Sequence, residues 1–217
     1  MENIETNKEE LNTKGNKYNN RIIIALDEFE SLRDRLDCAT WTKLQELKVM
    51  GYVKKKDMDF LKGMAYYCIQ SIDLSDCKTT ILEEEAFSGC ASLESIKLPN
   101  GIKSIPDDAF VECRNLELVY LPDTIESIGD FSFAYCEKIV EMNLPANVRY
   151  IGHNTFKGCT SMIRININST TPPIVQTDTF IGLSDSCEFA VKKELVAAFL
   201  NDENWSKLRI VENDNKE

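Results

Sequence analysis

No apolar run in this 217-residue chain approaches the ~20 residues that a membrane-crossing helix needs. The longest early one, Ile22-Ile23-Ile24-Ala25-Leu26, stops after five. The start, Met1-Glu2-Asn3-Ile4-Glu5, is acidic and no long apolar stretch follows it, so it lacks the pattern of a secretory signal. Positive charge is also short: 25 Lys and Arg face 36 Asp and Glu, a formal net charge of −11. Such a surface repels phosphate backbones and excludes general nucleic-acid binding. Neither G-x-x-x-x-G-K-[ST] nor G-x-G-x-x-G occurs, and no serine sits in a nucleophile elbow. Histidine occurs once, at His153. What is present is enough to fold: 43% of residues are hydrophobic and 28% charged, over a length that allows one or two domains.

The informative feature is a repeat. "AFSGCASLESIKLP" (86–99) returns 23 residues later as "AFVECRNLELVYLP" (109–122), then as "SFAYCEKIVEMNLP" (132–145) and "TFKGCTSMIRININ" (155–168). The columns are Phe87, Phe110, Phe133 and Phe156; Cys90, Cys113, Cys136 and Cys159; and Leu93, Leu116, Ile139 and Met162. Ile96, Val119, Met142 and Ile165 follow, then Leu98, Leu121, Leu144 and Ile167. Ile102, Ile125 and Val148 form a further column, and Ile105, Ile128 and Ile151 another. A period of this length means stacked coils, each covering the apolar face of its neighbour. The L-x-x-I-x-L spacing ends in the alternation of a short strand, so stacking builds a parallel sheet. "IKSI", "IESI" and "VRYI" predict a second short strand on the opposite wall, and the Leu-Pro step turns the corner between the two. The Phe–Cys stretch is read as a turn or short helical segment with its rings stacked inside.

The F-x-x-C-x-x-L-x-x-I-x-L-P core and its period resemble the leucine-rich repeats of the bacterial surface-antigen class, BspA-like or TpLRR-type, over about 82–168. The resemblance implies an α/β leucine-rich-repeat solenoid with a parallel sheet on one face. About four regular coils lie between modified capping coils that carry helices. The organisation expected is a disordered lead-in over 1–20 and an N-terminal cap over 21–81. The regular repeats fill 82–168, an irregular repeat and cap fill 169–217, and the whole is one continuous solenoid.

The flanks fit as altered coils. Ile69, Ile72 and Leu74, and before them Leu44, Leu47 and Val49, repeat the strand spacing. A helix starting near Asp57 turns Met58, Leu61 and Met64 inward, and an earlier one through "EFESLRDRLDC" buries Phe29, Leu32 and Leu36. After "TTPPIV" breaks the rhythm, Phe180 holds the phenylalanine column one residue late and "CEFAV" forms a strand. "KKELVAAFLNDENWSKLRIV" then reads as helix, turn and final strand.

Eight cysteines spaced this way are read as structural thiols, four of them in a buried ladder, because a 23-residue interval is not a zinc-knuckle spacing. Pairing among Cys38, Cys68, Cys77 and Cys187 stays open. His153 occupies the slot of Asp107, Asp130 and Glu84, which identifies an exposed turn residue and not a catalyst. The run Glu83-Glu84-Glu85 lacks calcium-ligand spacing and reads as a solvated turn. No cofactor or metal is expected.

What remains is a surface. The outward row of the main strands runs Glu46 and Lys48, Ser71 and Asp73, Ser95 and Lys97, Leu118 and Tyr120, Glu141 and Asn143, Arg164 and Asn166. It changes at every step, and Leu118 beside Tyr120 is its one adjacent apolar–aromatic pair. The expectation is a non-enzymatic, monomeric protein-interaction module that binds a partner protein through Lys97, Leu118, Tyr120, Glu141, Asn143 and Arg164. The family resemblance implies a bacterial cell-surface or secreted setting and adhesion; a native start at Met1 implies a cytoplasmic scaffold instead. The alternative is an enzyme accessory or weak hydrolase site on the caps, around Trp205 or His153.

Overall fold

The computed structural model describes residues 20–36 and 38–213, so the lead-in expected over 1–20 lies, Asn20 apart, outside the described residues. In chain order the elements begin with β1 (Arg21–Leu26), α1 (Leu32–Arg35), α2 (Cys38–Trp41), β2 (Glu46–Gly51) and α3 (Lys55–Tyr67). Next come β3 (Ser71–Asp73), β4 (Ser95–Lys97), β5 (Ser104–Ile105), β6 (Leu118–Tyr120), β7 (Ser127–Ile128), β8 (Glu141–Leu144) and β9 (Tyr150–Ile151). The series ends with β10 (Arg164–Ile167), β11 (Ile174–Val175), β12 (Glu188–Val191), α4 (Val196–Leu200) and β13 (Arg209–Glu212).

All pairings are parallel, as successive coils require. One wall is built from β1-β2-β3-β4-β6 and then β8-β10-β12-β13; the opposite wall is β5-β7-β9-β11. The expected columns meet in register: Ile72 pairs with Ile96 and Ile96 with Val119, while on the other wall Ile105 pairs with Ile128 and Ile128 with Ile151. The apolar run at 22–26, unassigned from sequence beyond its length, supplies β1 as one more coil paired along β2.

Between the walls Phe87, Phe110, Phe133, Phe156 and Phe180 form one stack, with centroids 5.3 to 5.9 Å apart and planes within 7° of parallel. The first four rings belong to turns whose backbone bonds to the next coil: Phe110 N–H donates to Ser132 O at 2.8 Å, and Phe133 N–H to Thr155 O at 3.0 Å. These turns use two left-handed columns, Glu85, Asp108, Phe131 and Asn154, then Gly89, Glu112, Tyr135 and Gly158. Only the second column shows glycine, so the shared backbone is carried by packing more than by residue type.

At the C-terminal end Trp205, fully buried, lies 5.3 Å from Phe180 and 5.0 Å from Phe199, and its Nε1 donates to Pro173 O at 2.7 Å. At the N-terminal end α3 forms as expected, with Leu61 and Met64 buried and Met58 half-buried. Asp57 joins the start of α1 to the start of α3, since its buried carboxylate accepts the N–H of Lys54 at 3.0 Å and of Leu32 at 2.8 Å.

The helix expected through 28–38 is corrected. Leu32 and Leu36 are buried, but Phe29 is 84% exposed and the helix is only the single turn α1. Asp27 Oδ1 accepts the N–H of Phe29 and of Glu30, at 2.8 and 3.0 Å, and this turn keeps the preceding residues out of the helix.

Candidate partner-binding face

The outward strip of the main wall is pre-ordered by contacts between neighbouring coils. Arg21 pairs with Glu46, Lys48 with Asp73 and Asp76, and Ser95 Oγ donates to Ser71 Oγ at 2.8 Å. The hydrogen bond to Asp76 raises the Lys48 pKa against the opposing effect of burial. Burial would raise the Asp73 carboxyl, but hydrogen bonds from Ser75 and the charges of Lys48 and Lys97 outweigh it and hold the pKa down.

Of the six predicted site residues, Leu118 and Tyr120 are each 52% exposed on β6. Lys97 Nζ sits 5.2 Å from the Tyr120 ring centroid and 3.9 Å from Asp73, so the lysine is held over the aromatic face. Arg164 Nη1 donates to Glu188 Oε2 at 2.8 Å and its Nε to Asn166 Oδ1 at 3.0 Å; Glu188 also pairs with Arg209. Asn143 accepts from Asn166 Nδ2 at 2.9 Å. Asn166 itself is a correction to the outward row: it is 5% exposed, enclosed by these side-chain contacts on β10. Glu141 is exposed on β8.

Two features were missed from sequence. First, among the described residues no strand pairing links β6 to β8, so the main wall is interrupted between Tyr120 and Glu141. The inward residues of this stretch register the break: Val119 on β6 and Leu121 just after it, expected in the core, are only partly buried. An open depression of about 620 Å³ lies there, lined by Glu117, Leu118, Lys138, Val140, Glu141 and Ser161. Second, Val140 and Ile163 are 46% and 54% exposed. They belong to the column just before the strands, which reads Gln45, Gln70, Glu94 and Glu117 in the earlier coils. The switch from polar to apolar along that column was the available signal.

The thiols are structural. Cys113, Cys136 and Cys159 donate to the carbonyls of Phe87, Phe110 and Phe133, at 3.0, 3.2 and 3.1 Å. Burial pushes Cys159 up to about 12 and Cys136 well above its ordinary value. Cys68, Cys77 and Cys187 are free thiols as well, and Cys77 donates to Val49 O; the Cys38 side chain lies outside the described residues. Among the described residues no group of three or more His, Cys, Asp or Glu is placed to hold a metal ion. His153 is exposed, with Nδ1 2.8 Å from Asp178 Oδ1, and Trp205 is too deeply buried to form a surface site. No helix of the described chain is long and apolar enough to cross a membrane.

Comparison with known proteins agrees with this geometry. The profile of the BspA type leucine rich repeat region matches residues 64–185 in six copies, taking in altered coils on either side of the four regular ones. Among solved structures, the chain is similar to the leucine-rich repeat protein of T. pallidum. The identity is 20% and the TM-score 0.51, over 66% of this chain and 69% of that one. It is also similar to the pneumococcal vaccine antigen PcpA, with 15% identity and a TM-score of 0.52 over 90% of this chain and 68% of that one. No curated protein sequence matches the chain.

Proposed function

The chain belongs to the BspA-type leucine-rich repeat family, and from that premise we propose that it is a non-enzymatic module docking a partner protein on the outward face of its main wall. The observation that carries this reading is the half-exposed pair Leu118 and Tyr120, placed mid-wall, with Lys97 held over the ring. An aromatic anchor ringed by polar side chains is the composition of a binding hot spot, because the ring gains contact area while its surroundings exclude water. Order also favours it: a strip already tied by ion pairs and amide contacts loses little freedom on binding. Lys97, Glu141, Asn143 and Arg164 then set specificity around the anchor. Adhesion at a bacterial cell surface is the setting that the resemblance to surface antigens favours.

The test is a binding titration, once a partner has been captured, of Tyr120→Ala and Leu118→Ala against the parent chain. Loss of about 2 kcal/mol or more on Tyr120→Ala, with unfolding unchanged, supports the reading. Full affinity in both variants moves the site off this face.

A further inference from the structure

Glu141 differs from the other carboxylates of the outward strip. Glu46, Asp73 and Glu188 each have a cationic partner on a neighbouring strand, and Glu117 beside the depression pairs with Lys138 at 3.6 Å. Glu141 has no such partner among the described residues, although Arg164 is its register neighbour on β10. Arg164 turns the other way, to Glu188 and Asn166. The unpaired carboxylate lines the open depression at the wall's interruption, with Leu118 and Val140 beside it. Ile163 N–H donates to Val140 O at 2.9 Å, so Ile163 continues the same apolar column in the next coil. One unmatched negative charge therefore stands at the edge of a half-exposed patch of Leu118, Val140 and Ile163.

Resting on the reading of this wall as the docking face, we infer that the partner presents a lysine or arginine flanked by apolar side chains. The cation meets Glu141, and the flanking groups cover Leu118, Val140 and Ile163. Charge complementarity selects this occupant. An acidic segment would meet Glu141 and the net −11 of the chain, whereas an uncharged apolar one would bury the carboxylate without a partner. Apolar cover also excludes water from the new ion pair and strengthens it beyond an open surface pair.

The probe is a synthetic peptide alternating leucine and lysine, with a twin in which glutamate replaces lysine, titrated against the full chain by fluorescence anisotropy. The lysine peptide is expected to bind and its twin to fail. Glu141→Gln should weaken binding roughly fivefold or more, the factor equivalent to about 1 kcal/mol for a partly covered pair. Val140→Ser and Ile163→Ser should weaken it too, while Glu84→Gln, the same charge change on the distant Phe-turn side, leaves it unaltered. Equal weakening by Glu84→Gln and Glu141→Gln, or equal binding of the acidic twin, overturns the inference as unspecific attraction. Loss on Leu118→Ala and Tyr120→Ala with Glu141→Gln unaffected overturns the inference but leaves the docking face standing. Indifference to all of these overturns both.

Discussion

The thiol of Cys136 donates to the main-chain carbonyl of Phe110, in the coil before it, at 3.2 Å. Cys113 with Phe87 and Cys159 with Phe133 repeat the contact, so the cysteine column ties each coil to the turn that carries the preceding ring. A small side chain with a weak donor fits between the stacked turns and supplies that bond.

These thiols should therefore resist alkylation in the native protein and react on unfolding without prior reduction. Mass mapping of labelled sites checks this, and a Cys90–Cys113 or Cys136–Cys159 disulfide would sink the ladder. Cys136→Ala should cost about 1–3 kcal/mol, combining a lost hydrogen bond with a small void.

Stability should fall as pH rises above about 9. Cys77 and Cys159 are raised to about 12 and Cys187 to about 11, chiefly by burial. An unfolded thiol ionises near 8.5. Above that pH the unfolded chain holds fewer protons than the folded one, so the thiol contribution is complete below the unfolded pKa and fades toward the folded values. Denaturant midpoints measured at stepped alkaline pH should show a shallower decline when these three cysteines are replaced by alanine. An identical decline would refute the assignment.

Phe110→Ala removes a fully buried ring from the middle of the stack and should destabilise by roughly 3–5 kcal/mol. Phe29→Ala, at a ring 84% exposed, should stay within about 0.5 kcal/mol. Chemical denaturation of the two variants side by side makes the comparison.

Gly158→Ala is a test of backbone geometry. Its φ is +73°, and an added Cβ would lie 2.6 Å from Tyr135 Cδ1, so both strain and a clash oppose the change. A loss of about 1–3 kcal/mol is expected in the thermal or denaturant transition, where an unaltered midpoint would show that the turn relaxes.

Removing residues 187–217 takes away β12, α4, Trp205 and β13, which cover the last ring of the stack. Aggregation, and not a smaller cooperative domain, should result. Size-exclusion chromatography and a melting curve of the 1–186 fragment decide the matter.

The 23-residue period determined by itself the two walls, the ring stack and the thiol column, because a solenoid repeats one set of neighbours and each column therefore reads out its own environment. It also placed Leu118 and Tyr120 outside, since strand alternation leaves those positions no other direction. Three things were decided only by tertiary structure. Phe29 lies in solvent because a turn at Asp27 ends the helical stretch before it can reach that ring. Asn166, outward by alternation, is buried because Arg164 and Asn143 close around it. The wall opens between β6 and β8, and beside that opening Glu141 has no cationic partner among the described residues, since Arg164 had two carboxylates along its register and engaged Glu188. Periodicity says which residues are neighbours; it does not say which of two equivalent neighbours a side chain engages, and that choice rests on contacts made across coils.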